Sequence, residues 1–321
     1  MGDAGAPHPA YTRDSTVVRL PGVVSLDDLS PAWAWGGATG RGVRVAVVDS
    51  GVEADHPALE GCVDAEGAVE VVVDGDGNTV DRLGPHADAF GHGTACAGII
   101  HAMAPEARIT SIKVLGPGLG GKAAGFLRGL AWAVDQGFDI INLSLGTTRR
   151  DWALPFYEIC DQAYFRNCLL VTAANNVLRP SFPSLYGSVV SVACNLATDP
   201  FRFHYNPEPP TDFLARGIDV DLAWRGGGRM TGTGNSYAAP HIAGLAALIR
   251  SKHPDLRQFQ VKTALWATSA NVRGARGAAP AAGRLSRVVR PVTTSLRAGA
   301  ALVQRGPTGH EPAGRPPPAP P

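Results

Sequence analysis

Three shortages in this sequence each close off a class of function. Cysteine is scarce: Cys62, Cys96, Cys160, Cys168 and Cys194 are the only five in 321 residues. An odd, scattered set with no Cys-x-x-Cys pair is neither a disulfide framework nor a thiolate zinc site. Most of these thiols are expected to be small buried apolar groups, with one bridged pair left open. Net charge is nearly absent, 29 Lys+Arg against 28 Asp+Glu, or +1. No basic surplus points to nucleic acid or an anionic membrane as partner. Long apolar runs are missing too, so no segment reaches the ~20 residues of a membrane span. Met1 to Ala10 has no basic stretch leading into an apolar run, the pattern of a signal peptide. A cytoplasmic location is expected, or a secreted one if the chain is a trimmed mature form. What remains is 45% hydrophobic and 18% charged, enough for one large α/β domain or two small ones.

Short β-branched runs alternate with helical patterns. Val43 to Val48 and Val69 to Val73 are nearly continuous apolar runs, the mark of strands buried on both faces. Ile109 to Val114, Asp139 to Leu143, Cys168 to Ala173 and Val189 to Ala193 continue the series. Between them, Phe126, Leu130 and Val134 recur every four residues before Gly137, which reads as a helix end. Trp152 to Phe165 reads as a second amphipathic helix. Ser236 to Arg250 is apolar nearly all round and predicts a central buried helix. The alternation implies a mostly parallel sheet with helices on both faces, a three-layer αβα fold. In such folds functional residues gather at the carboxyl ends of strands.

Three segments carry chemistry. Asp49 ends a buried strand and is followed by Ser50-Gly51. Alone, such an acid caps a turn as often as it serves a site. Gly91-His92-Gly93-Thr94 opens a helical run, with glycines that let another backbone approach closely. A structural histidine would read equally well there. Gly232-Thr-Gly-Asn-Ser236-Tyr-Ala-Ala-Pro240-His-Ile-Ala-Gly244 sets a serine at the start of the buried helix. Its N–H and the helix dipole face any negative charge that forms beside it. Asp55 and Asp88 are other acids near these segments, but neither ends a strand. His241 lies five residues beyond Ser236 and points to another face.

Jointly these segments resemble the subtilisin-like serine protease family (subtilases), over about residues 41 to 252. The family serine pattern is Gly-Thr-Ser-Met-Ala-Ala-Pro-His-Val-Ala-Gly, and the chain departs from it at Asn235 and Tyr237. Ile141 to Gly146, Ala173 to Asn176 and Phe182 to Tyr186 are further family-like stretches. The resemblance implies a subtilisin-like fold and a serine endopeptidase that hydrolyses peptide bonds through an acyl-enzyme. Asp49, His92 and Ser236 would be its triad: a nucleophile, a base of near-neutral pKa, and an acid that fixes the imidazole. Asn176 would supply the side-chain donor of the oxyanion hole. Asn175 stands where the family has glycine, near the specificity pocket. Gly118-Leu119-Gly120 and Ser144-Leu145-Gly146 would pair with an extended substrate as added strands, with Ala174 and Asn175 completing the binding residues. Cys96, one helical turn beyond His92, occupies a place where some branches of the family also carry cysteine.

The expected organisation is an N-terminal extension over 1–40, a peptidase domain over 41–270, and an Arg/Ala/Pro-rich, largely disordered tail over 271–321. That tail has eight Arg against one acid, and six of its last ten residues are Pro. No cofactor is expected to be required for catalysis, and no metal ligands are assigned. A structural calcium ion is left open without a clear motif. Asp74-Gly-Asp-Gly-Asn78 lacks the spacing of an EF-hand and reads as a hairpin turn. The expected partner is a protein or peptide substrate, cut by limited proteolysis, with no nucleic acid and no membrane. About forty residues before the first core strand are too few for a folded prodomain, which fits an intracellular member. Two rivals stand beside this reading. One is a catalytically silent subtilase-fold binding module. The other, a nucleotide-binding enzyme, lacks any Gly-x-Gly-x-x-Gly or P-loop pattern.

Overall fold

The computed structural model describes residues 26–177 and 179–277. Helix α1 (Pro31–Trp35) is followed by strand β1 (Arg44–Asp49), the hairpin β2 (Val69–Val73) and β3 (Thr79–Leu83), and helix α2 (His92–Met103). Then come β4 (Arg108–Lys113), α3 (Ala123–Asp135), β5 (Ile140–Leu143), α4 (Ala153–Phe165), β6 (Leu169–Ala173) and β7 (Val190–Asn195). The short strands β8 (His204–Tyr205) and β9 (Phe213–Arg216) lead to a second hairpin, β10 (Val220–Trp224) and β11 (Gly228–Gly232). Helices α5 (Asn235–Lys252), α6 (Gln258–Thr268) and α7 (Ala270–Gly277) close the described chain.

One sheet runs in the order β3-β2-β4-β1-β5-β6-β7-β9-β8. Strands β2 through β9 along it pair in parallel, and only the edge strands β3 and β8 run antiparallel to their neighbours. Strand β1 shows why a near-continuous apolar run is needed at the centre. Its Val45 and Val47 enter the core under α2 and α5, while Ala46 and Val48 enter the core under α3 and α4. Both faces are dry, so alternation with polar residues would bury unpaired groups. Helix α3 puts Phe126, Leu130 and Val134 into the second core, and Gly137 (φ 65°) ends it in the left-handed conformation. The chain order reverses at β1, which lies between β4 and β5. That is the switch point at which the carboxyl ends of an open α/β sheet form a crevice.

Two expectations about boundaries change. Residues 30–36 are not an extension, because α1 is fastened to the end of α5. Lys252 Nζ donates to the carbonyls of Ala32 and Gly36, and the His253 ring stacks on Trp33 at 4.2 Å. At the other end, the expected boundary at residue 270 falls at α7, which continues the fold to Gly277. The Asn271 amide there bonds both backbone groups of Tyr205 on edge strand β8. Contacts divide the chain into Met1–Ala278 and Ala279–Pro321, and the second unit, with most of the expected tail, lies outside the described residues. The Asp74–Asn78 segment is the β2–β3 turn: the Asp74 carboxylate accepts from the amides of Asp76 and Asn78 at 3.0 and 2.8 Å. No described helix is long and apolar enough to cross a membrane.

Helices α2 and α5 carry the two residues of greatest interest, and they cross at Gly244. A Cβ there would stand 2.4 Å from Met103 Cβ. Overpacking of this kind costs about 1–3 kcal/mol. Gly244→Ala is expected to lower the urea midpoint of unfolding by a corresponding amount at unchanged slope, measured by circular dichroism.

Candidate active site

Asp49 is fully buried at the carboxyl end of β1, and His92 is the first residue of α2. The glycines beside them permit the encounter. A Cβ on Gly93 would lie 1.9 Å from the Gly51 carbonyl oxygen and 3.2 Å from Asp49 Cβ. Gly51 itself (φ 109°) is crowded too: a Cβ there would lie 2.7 Å from the Ala87 carbonyl oxygen and 2.8 Å from Asp88 Cα. With no side chains in the way, His92 Nδ1 comes within 2.9 Å of both Asp49 carboxylate oxygens. The imidazole therefore gives its Nδ1 proton to Asp49 and leaves Nε2 toward the cleft. Burial pulls the His92 pKa down, but the Asp49 charge and the hydrogen bond to it win, holding it well above 6.5.

Ser236 lies in the first turn of α5, after the Gly232–Gly234 loop. Its hydroxyl donates to the Ser144 carbonyl at 3.3 Å, and no hydrogen bond joins it to His92. Catalytic hydrogen bonds are often unmade in the unliganded form. The Ser236 carbonyl has a different history. Pro240, four residues on, lacks the N–H that would bond it within the helix. Ser144 Oγ takes that place, donating at 2.9 Å, and Asn142 Nδ2 in turn donates to Ser144 Oγ at 3.1 Å. The side chain of Asn176 accepts from the Asn235 N–H at 3.0 Å through Oδ1, which leaves its Nδ2 protons unspent.

A family model described as the subtilase family matches residues 40–287. The chain belongs to the subtilase family. It is 30% identical to subtilisin E of Bacillus subtilis over 255 residues, covering 75% of this chain and 64% of that protein. With the subtilisin of Bacillus pumilus it shares 31% identity over 256 residues, covering 75% and 88%. Among solved structures, one titled S41 psychrophilic protease aligns with a TM-score of 0.59 at 28% identity, over 71% of this chain and 83% of that one. A cold-adapted subtilisin-like serine proteinase aligns with a TM-score of 0.58 at 24% identity, over 74% and 87%.

The cleft of this subtilase runs from His92 and Ser236 between two walls and holds about 730 Å³. Ser144-Leu145-Gly146 forms one wall beyond β5. The backbone amides and carbonyls of Leu145 and Gly146 make no hydrogen bond with any described residue, so this edge is open to an added strand. Gly118-Leu119-Gly120 differs from expectation. Pro117–Leu119 is a 3-10 turn closed by Gly116 N–H on the Gly120 carbonyl, with Gly118 and Leu119 both at positive φ. Such a turn offers a side chain, Leu119, rather than an extended edge. Asn175 stands where the family has glycine, yet it is not among the positive-φ residues, so the position needs no left-handed backbone. Its Oδ1 accepts from the Val177 N–H at 3.1 Å. Ala174, Asn175 and Asn176 line a small side pocket beside Ser236.

Two residues that sequence reading set aside prove central to this geometry. Asp88, dismissed as an acid away from a strand end, accepts from Ser50 Oγ, Thr94 Oγ1 and the amides of Phe90, Gly91 and Thr94. It thus caps α2 together with Ser50, whose Oγ accepts from the Gly93 N–H at 3.1 Å. Burial raises its pKa, yet these donors together hold it below the usual carboxylate value. Asn235 ties the serine loop to the Asn175–Asn176 loop: Nδ2 donates to the carbonyls of Ala174 and Asn175, and Oδ1 accepts from the Cys194 N–H. A signal for Asp88 was present, an acid three residues before Gly91 opens a helical run; for Asn235 the signal was its departure from the family pattern. His241 is buried and its Nδ1 bonds the Tyr237 carbonyl; burial lowers its pKa to about 4, so it stays neutral away from the site.

All five cysteines are free, and the Cys96 thiol sits beneath the site. Sγ is 3.9 Å from both His92 Nδ1 and Asp49 Oδ2, and 3.4 Å from Ser144 Oγ. Burial pushes its pKa up, so it is a neutral thiol. A mercury adduct there would press on His92, Asp49, Ser144 and the Ser236 carbonyl. A 1 Å misplacement costs about 10²-fold in rate. Mercuration is expected to slow fluorophosphonate labelling of Ser236 by about that factor, and Cys96→Ala is expected to resist. Unchanged labelling of protein carrying mercury on Cys96, followed by intact mass, would count against the packing described.

Proposed function

We propose that this chain is a serine endopeptidase that hydrolyses protein or peptide substrates through an acyl-enzyme. The observation that carries the reading is the buried Asp49–His92 pair facing Ser236 in a cleft with a free backbone edge. An extended peptide joins the Leu145–Gly146 edge as an added strand, which sets its scissile carbonyl against Ser236 Oγ. The hydroxyl turns from the Ser144 carbonyl to His92 Nε2, which takes its proton as the oxygen attacks. Asp49 holds the imidazole in the needed tautomer and stabilises the imidazolium. The Ser236 N–H, an unpaired donor at a helix start, and Asn176 Nδ2 receive the oxyanion. His92 then returns the proton to the leaving amine, and a water molecule repeats the sequence on the ester.

The first test is labelling by a fluorophosphonate probe, read by intact mass. A single adduct on the wild type and none on Ser236→Ala is expected. No adduct on folded wild type would make the silent binding module the better reading.

The raised His92 pKa sets a pH dependence. Protonated His92 cannot accept the serine proton, so kcat/KM is expected to rise through a limb that lies above 6.5. Asp49→Asn removes the charge that raises it, moving the limb down and cutting kcat by about 10⁴-fold. Stability runs the opposite way. A base whose folded pKa is raised contributes fully below its unfolded value and loses that contribution as pH climbs through the folded value. The wild-type Tm is therefore expected to fall over the window in which activity appears, and that loss should be absent in Asp49→Asn.

A further inference from the structure

The side pocket beside Ser236 limits which residue can precede the cleaved bond. It holds about 120 Å³. An enclosed cavity of about 150 Å³ holds benzene, and this pocket is smaller, so a phenyl ring is a tighter fit than a methyl or hydroxymethyl group. Three features keep it small. Gly146 lies against the Phe182 carbonyl, where even a Cβ would stand 2.9 Å away, so that wall cannot retreat. Asn175 lines it and is fixed in place, its Oδ1 held by the Val177 N–H and its carbonyl by Asn235. Ser181 closes the far side, 5% exposed, its Oγ 3.0 Å from Ser184 Oγ.

The chemistry of this lining is as narrow as its volume. Among the described residues its lining has no ionisable side chain, so a lysine or glutamate entering it would lose its water without gaining an opposite charge. Ser184 Oγ spends its proton on the Ser181 carbonyl at 2.9 Å, so Ser181 Oγ is the donor between the two hydroxyls. Ser181 Oγ keeps its lone pairs as a buried acceptor.

We infer that the substrates are peptides with a small uncharged residue, alanine, serine or threonine, on the acyl side of the scissile bond. Asn175 and Ser181 are the specificity-determining residues. The inference rests on the peptidase reading above. Discrimination per methylene in a fixed pocket is about 10–200-fold. The full chain would be assayed on tetrapeptide anilides that differ only in the last residue: Ala, Ser, Val, Leu, Phe or Lys. Fluorophosphonate labelling of the same sample would count active sites. Alanine and serine substrates are expected to exceed phenylalanine and lysine substrates by at least about 30-fold in kcat/KM. Asn175→Gly is expected to narrow the alanine-to-phenylalanine gap by about tenfold. Labelled enzyme that cleaves the phenylalanine substrate as well as the alanine one, or that cleaves no member of the panel, would overturn the inference. An unchanged gap in Asn175→Gly would overturn the role given to Asn175. Absence of labelling would instead strike the peptidase reading itself.

Discussion

The contact between Asp49 and His92 is the constraint around which this molecule is built. A carboxylate with no exposure to solvent is costly unless it is paired and hydrogen-bonded. The pair closes only if the start of α2 abuts the end of β1, and that needs Gly51 and Gly93 at the point of contact. Asp88 then satisfies the amides that such a blunt helix start leaves over. Replacing any of these parts separates the acid from the base or strands buried donors. The arrangement is therefore cooperative, and its members act as one unit rather than as separate contacts.

A second dependence joins Ser236 to the opposite wall. Pro240 removes a helix hydrogen bond inside a largely buried helix, which would ordinarily weaken it by about 3 kcal/mol. Here the freed Ser236 carbonyl is met by Ser144 Oγ, and the Ser236 hydroxyl returns to the Ser144 carbonyl. Ser144 thus binds Ser236 at both ends while its neighbours Leu145 and Gly146 keep their backbone groups open. The wall that positions Ser236 is continuous with the wall that would position a substrate, so the two are placed by one rigid strand end, β5.

Much of this was legible in the chain. Strands β1, β2, β4, β5, β6 and β7 follow from their β-branched runs, and α3 from its four-residue repeat, because burial on both faces or on one stripe dictates composition. Asp49, His92 and Ser236 were singled out by strand-end and helix-start positions flanked by glycine, and the fold brings those three segments to one crevice. What stayed hidden depends on tertiary partners. Glycine content alone cannot tell an extended edge from a closed turn, so Gly118–Gly120 was misread. The folding of residues 30–36 onto α5 turns on Lys252 and His253, more than two hundred residues away. Asp88 was judged by its distance from a strand end, when its role lies in the amides around it.

The departures from the family pattern at Asn175 and Asn235 are a single change in physical terms. Asn235 Nδ2 donates to the carbonyls of Ala174 and Asn175, and its N–H bonds the Asn176 side chain. A threonine at 235 has no amide donor, so both carbonyls would lose their partner in the loop that carries Asn176. Asn175, in turn, has a backbone fixed by Asn235 from one side and an Asx turn to Val177 on the other, which lets it adopt ordinary φ where glycine is not required. The two residues share partners, and their energies cannot add independently. The loop that lines the small pocket and the loop that presents Ser236 are in this way one hydrogen-bonded body, so a substitution at Asn175 reaches Asn176 and Ser236 through Asn235.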